Sequence, residues 1–410
     1  MIDAVNVDSI NVDQSWTTTD TRGMDLIDVP AGLNGVAVAD TTIGTVLGDE
    51  GFYHYRDYDA VELARTASFE DAWYLLDRGR LPDGAERDTF RADLAARRRL
   101  PAGTVPLIDV AGALPGTPLA RLRTVLSAAA GPLRLQPLLD LDAADRREQA
   151  LDVAAVVPSI LGALYRSGAG LAAVAADPDL GHAAAYLHQV TGRQPESEHA
   201  RALEQYLILT IDHGFNASTF TGRVVASTGA DIVDVVCAAI GALAGPLHGG
   251  APSRALDALD AIGTPDRAAD WVRGEVAAGR RIMGFGHAVY RAPDPRSALL
   301  RDVAEALGGE LVERAIAIET EILTTLAELK PDRPLPSNVE FYAGVIMETV
   351  GLPRQMFTPT FAVSRTVGWV THALEQAATG KLIRPAARYV GPAPRRVAGV
   401  GTVRPPAPTG

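Results

Sequence analysis

The sequence predicts an all-α fold with a few short strands near its start, and three observations carry that expectation. Leu311, Ala315, Ile318, Ile322, Leu326 and Leu329 recur at spacings of three and four, which puts them on one face of a long helix. Ser68-Phe-Glu-Asp71 reads as a capping box opening the apolar AWYLL, with Gly79 and Pro82 closing the helix behind it. Strand-like sequence, by contrast, is confined to residues 35–56.

Taken in order, residues 1–30 are polar and lack helical periodicity, so they read as a loose or docked arm. In GVAVADTTIGTVLGDEGFYHYR (35–56), β-branched residues flank the turn-forming Gly48-Asp49-Glu50-Gly51, as in a short hairpin. From Ser68 onward the pattern is helical. The run VVCAAIGALAG holds the chain's one cysteine, Cys237, as a small buried hydrophobe rather than a nucleophile. Lys330-Pro-Asp-Arg-Pro-Leu-Pro336 cannot continue the helix before it, and a new apolar pattern begins after Ser337. The terminal RPPAPTG cannot form helix. There are no internal repeats. The Gly/Pro clusters at 245–252 and 351–353 suit the boundaries of a second domain inserted in the first.

A length of 410 residues, 47% of them hydrophobic, supports a large core, while a net charge of -12 and no run of five basic residues argue against nucleic acid as a partner. MIDAVNVDSINVDQSW lacks the basic start and apolar core of a signal peptide, and no apolar stretch of membrane-spanning length stands out. A cytoplasmic protein without membrane contact is expected.

Of the eight histidines, His213 in DHGFNAST, His248 in GPLHGGAP and His287 in GFGHAVYR lie beside glycine or one residue from it, where a ligand can approach the backbone closely. A metal site is not expected, because no helical ligand pair, HExxH or cysteine cluster accompanies them. A serine hydrolase lacks its GxSxG elbow. Arg296, Arg365 and Arg384 stand outside any charge run; each is either a surface ion pair or a clamp for carboxylates, and Arg365 can also stack on Trp369 one turn later. Glu340 in LPSNVEFYAGV has two readings. It completes a capping box with Ser337, or it is a general base held ionised at the positive end of a helix.

Six of these segments in order (DHGFNASTF, STGADIVDVVCAAIGALAGPLHGGAP, MGFGHAVYRAPDPR, LPSNVEFYAG, FAVSRTVGW and IRPAARYVG) resemble the motif series of the citrate synthase family, from about Gly32 to about Gly391. The resemblance implies a large helical domain (1–251 and 353–410) with a smaller inserted helical domain (252–352). It also implies a homodimer in which Arg384 serves the partner's site. It implies condensation of acetyl-CoA, a co-substrate rather than a resident cofactor, with oxaloacetate, as in the tricarboxylic acid cycle. His248 would donate to the thioester oxygen and Glu340 would remove the methyl proton. His287 would polarise the oxaloacetate carbonyl, His213 would contact the same molecule, Arg296, Arg365 and Arg384 would hold its carboxylates, and Gly284, Phe285 and Gly286 would meet CoA. One departure stands out: the family's usual NVDF is NVEF here. The extra methylene moves the carboxylate by up to about 1.5 Å, and a misplacement of about 1 Å can cost roughly 100-fold in rate. A 2-methylcitrate synthase using propionyl-CoA and a weakly active paralogue that binds dicarboxylate or CoA are the alternatives.

Overall fold

In a computed structural model of the chain, the description covers residues 26–246, 248, 251–287 and 289–392, side chains at 251–253 excepted. Of the arm expected at residues 1–30, residues 1–25 lie outside it, as does the terminal RPPAPTG. The chain divides into a main unit, Thr41–Ile383, and a terminal unit formed by Met1–Asp40 and Arg384–Gly410. In the described part of the terminal unit there is one short helical turn, Ala31–Leu33, and an ion pair from Arg388 to Asp28 at 2.7 Å.

The main unit opens with a small antiparallel sheet, β1 (Gly44–Leu47), β2 (Phe52–Tyr55) and β3 (Tyr58–Asp59), in sequential order. Leu47 pairs with Phe52 across the Gly48–Gly51 turn, and Gly51 has the positive φ of 65° that the turn requires. Helices follow. In α1 (Phe69–Arg78), Ser68 and Asp71 form the reciprocal capping box, and Gly79 ends the helix at φ 78°. The long α2 (Ala143–Gly168) starts where Asp142 accepts from the amides of Ala144 and Asp145. Its length and hydropathy alone would suit a membrane span, but 78% of that window is buried inside the protein. The membrane-length stretch that sequence reading passed over is therefore the central core helix. Val153, Val156, Val157, Ile160 and Leu161 on it are fully buried, and truncating one of the larger ones to alanine costs about 2–5 kcal/mol.

Five further helices carry the site: α3 (Ser197–Thr210), α4 (Ala217–Ala226), α5 (Ile232–Leu243), α6 (Pro295–Leu307) and, after α7 (Glu310–Leu329), α8 (Val339–Thr349). The expected stripe on α7 is buried through Ala315, Ile318, Ile322 and Leu326, but Leu329 at the last turn is 36% exposed. The final helix, α9 (Phe357–Thr379), is buried along most of its length and stops at Gly380, φ 62°. Cys237 on α5 is partly buried; burial pushes its thiol up to about 12, so it is inert.

Candidate active site

A cavity of about 510 Å³ receives His213, His248, His287, Arg296, Arg365 and Glu340 together. Six of the residues singled out in the sequence, spread over more than 150 positions of chain, thus face one space. Arg384 is exposed and belongs to the terminal unit.

His213 sits in the loop between α3 and α4. Gly214 turns the chain at φ 62°, and Asn216 caps α4 by accepting from the Thr219 amide at 3.1 Å. The Nε2 of His213 meets the Tyr290 hydroxyl at 3.0 Å. Burial, with Arg296 and Arg365 nearby, holds this ring well below the usual histidine range. One helix later, beyond α5, His248 places Nε2 at 2.8 Å from Ser218 Oγ. That same oxygen accepts from Trp369 Nε1 at 3.1 Å and lies 2.8 Å from Asn216 Oδ1. Burial, then Arg365, lowers the His248 pKa as well.

His287 is presented by a piece of backbone zipped to the start of α8. Phe285 bridges Ser337, the Gly286 amide donates to Pro336 O at 2.7 Å, and Asn338 Nδ2 donates to Gly286 O at 2.8 Å. Gly284 and Gly286 have φ of 86° and 77°, and a Cβ on Gly286 would lie 2.9 Å from Leu335 Cδ2. These glycines are therefore required by conformation and by packing against 335–341. The amides of Val289 and Tyr290 donate to His287 Nδ1 at 2.9 and 3.1 Å. The proton of the neutral ring is thereby placed on Nε2. Burial, with Arg296, depresses the ring to about 4, so it is neutral at pH 7. Its Nε2 lies 3.2 Å from Arg296 Nη2. Two donors meet there, and an acceptor oxygen between them would satisfy both.

Arg296 opens α6. Asp294 caps that helix, accepts from Arg296 Nε and Nη2, each at 2.9 Å, and also accepts from the Val339 amide at 3.1 Å. One buried carboxylate thus fixes both the guanidinium and the helix that carries Glu340. Burial raises the Asp294 pKa, but Arg296 more than offsets this and keeps it below the ordinary value.

Arg365, 2% exposed, donates from Nε to Thr210 O at 2.8 Å and lies over the Phe361 ring at 4.5 Å. The stacking expected on Trp369 goes instead to Phe361, one turn earlier. Trp369 spends its N–H on Ser218. Among the described residues no carboxylate forms an ion pair with Arg365, and burial lowers its pKa.

The expected capping box at Ser337 does not form. Asn338 is the N-cap, accepting from the Glu340 amide at 3.0 Å, while Ser337 Oγ bonds Ser297 Oγ at 3.2 Å. Asparagine caps as well as serine, and the one-residue shift frees the Glu340 side chain. Its carboxylate has no hydrogen-bond donor among the described residues, and burial lifts its pKa to about 7.

A second cavity, of about 530 Å³, shares His287 and Glu340 with the first and is walled by Gly284, Phe285 and Gly286. Arg280, Arg281, Lys330 and Arg333 surround it. Sequence reading passed over these four because they come from separate short segments rather than one basic run; the Arg280-Arg281 pair just before GFGH was the available signal. It also passed over Ser218 and Asp294, although the latter sits inside the motif that drew attention to His287 and Arg296, and it gave Tyr290 of that motif no role.

The family model described as "Citrate synthase, C-terminal domain" matches residues 32–386. A citrate synthase of Haloferax volcanii is 38% identical over 371 residues, covering 89% of this chain and 96% of that protein. A 2-methylcitrate synthase of Mycobacterium tuberculosis is 37% identical, covering 89% and 91%. The structure of Thermoplasma acidophilum citrate synthase in ternary complex with carboxymethyl coenzyme A and oxaloacetate is similar with a TM-score of 0.83 at 29% identity, covering 91% of this chain and 99% of that one.

Proposed function

The chain belongs to the citrate synthase family, and from that premise we propose that it condenses acetyl-CoA with oxaloacetate to give citrate and CoA. It is an acyltransferase in which the acyl group becomes alkyl on transfer. The observation that carries this reading is the convergence of two buried guanidiniums, three imidazoles and one carboxylate of raised pKa on a single cavity.

A thioester methyl is a very weak acid, so its proton leaves only if the enolate oxygen is stabilised as it forms. Glu340 takes the proton, and His248 donates to the oxygen. The neutral His248 ring donates from Nδ1 when Ser218 turns its proton from Asn216 Oδ1 to Nε2. The new nucleophilic carbon then attacks the ketone of oxaloacetate, whose developing oxyanion lies between His287 Nε2–H and Arg296. Arg296 and Arg365 grip the carboxylates, with His213 beside them, and this orientation supplies much of the acceleration. Water then cleaves the citryl thioester and CoA leaves. No metal or resident cofactor is needed.

The second cavity suits the CoA arm. Arg281, Lys330 and Arg333 have no ion-pair partner among the described residues and offer charge to its phosphates. The segment 252–352, which carries His287, Arg296 and Glu340, is the part that closes over the substrates, hinging near 245–252 and 351–353. Arg384 of the partner subunit completes the oxaloacetate site in a homodimer, and the exposed apolar Val105, Val110 and Leu114 offer surface for such an interface. The compartment is the cytoplasm, in keeping with a free Cys237.

The test is thiol release by the purified protein with oxaloacetate and either acetyl-CoA or propionyl-CoA. Oxaloacetate-dependent release, faster with acetyl-CoA, is expected; release only with propionyl-CoA would assign a 2-methylcitrate synthase, and none with either would leave a binding protein.

A further inference from the structure

We propose that Tyr206 is a positioning residue for Glu340, its phenol donating to the carboxylate during turnover; the inference rests on the reading of Glu340 as the base. Tyr206 lies on α3, lines the same cavity as Glu340 and is 1% exposed. Its hydroxyl is buried with no hydrogen-bond partner among the described residues. Other buried tyrosines differ: Tyr53 donates to Leu209 O at 3.1 Å, Tyr55 to Ile208 O at 2.8 Å, Tyr186 pairs with Thr360 at 2.9 Å, and Tyr342 donates to Glu319. A buried hydroxyl is rarely left unpaired unless something else uses it.

The cavity holds the complementary group. Among the described residues Glu340 is an acceptor without a donor and Tyr206 a donor without an acceptor, and both face one space. Of the charged groups around Tyr206, Glu340 bears on the phenol most strongly, adding to the effect of burial in raising its pKa. Arg296 and Arg365 are donors and cannot take the phenol's proton. The two groups are not bonded to each other in the resting structure, and rotation about the three side-chain torsions of glutamate supplies the reach. An aspartate, one methylene shorter, would not extend as far. The tyrosine thus gives the longer carboxylate of NVEF a fixed point, which is what a misplaced base would otherwise lack.

The experiment is Tyr206→Phe, made in the wild-type chain and in the Glu340→Asp background, with thiol release from acetyl-CoA and oxaloacetate followed across pH. A donor to the ionised carboxylate favours the charged form, so its loss raises the pKa of the base. In the wild-type chain kcat at pH 7 should fall about fivefold as the ascending limb moves up by about one pH unit. The oxaloacetate KM should stay unchanged and Tm should not fall, since the hydroxyl has no structural partner among the described residues to lose. In the Glu340→Asp background the same change should alter kcat by less than about twofold, the coupling expected of a direct pair. An unmoved pH limb, an equal loss in both backgrounds, or a rise in oxaloacetate KM alone would overturn the assignment, the last by giving the phenol to the dicarboxylate. Glu340→Gln separates the two readings. Full turnover by that variant sinks the base itself, whereas an inactive Glu340→Gln with an unmoved Tyr206→Phe limb sinks the tyrosine's role alone.

Discussion

Arg296 and Arg365 enter one cavity from different parts of the chain and are held in opposite ways. Arg296 is gripped at two points by Asp294, so its charge is matched before any ligand arrives; burial works against that charge, and Asp294 more than offsets it. Arg365 is oriented by a carbonyl and an aromatic face, and burial lowers its pKa. The difference separates two tasks. The Arg296 wall is built into the fold and aims His287 and α8, while the Arg365 wall holds an unmet charge that a dianionic substrate would satisfy.

The comparison breaks most severely at Asp294. Asp294→Asn leaves Arg296 buried without a counter-charge and should cost about 3–5 kcal/mol of stability in urea unfolding; a loss below about 1 kcal/mol would mean the pair is not structural. Arg365→Met should act the other way round. It removes a buried cation without an ion-pair partner among the described residues, so Tm should hold or rise, while kcat/KM for oxaloacetate falls about 100-fold or more through lost charge pairing. A variant that unfolds yet binds normally when folded would reverse the two roles. The smallest change sharpens the contrast: Phe361→Leu removes only the ring beneath Arg365, worth about 0.5–2 kcal/mol, and should raise the oxaloacetate KM a few-fold with kcat unchanged.

What the sequence revealed was mostly what is local. Ser68 and Asp71 cap α1 because both partners lie within one turn, and the stripe from Ala315 to Leu326 follows helical spacing wherever the helix packs. The motif residues from His213 to Arg365 line one cavity. Errors arose where two neighbours were chemically equivalent. Asn338 caps in place of Ser337, and Arg365 takes Phe361 rather than Trp369, both four residues away; helical side chains lean toward the N-terminus, which favours the earlier partner. Tyr206, Ser218 and the basic rim of the second cavity were illegible for a different reason. Each acquires its neighbours only when distant helices pack.

The central claim is that Glu340, lifted to about 7 by burial, works as an ionised base. Because only the charged form can accept the methyl proton, the rate should climb with pH through about 7 and level off above it. Thiol release from acetyl-CoA and oxaloacetate, measured from pH 5.5 to 9 for the wild type and for Glu340→Gln, tests this most directly. The expected result is that ascending limb in the wild type and a loss of about 100-fold or more in the variant at every pH. Equal rates in the two proteins would contradict it.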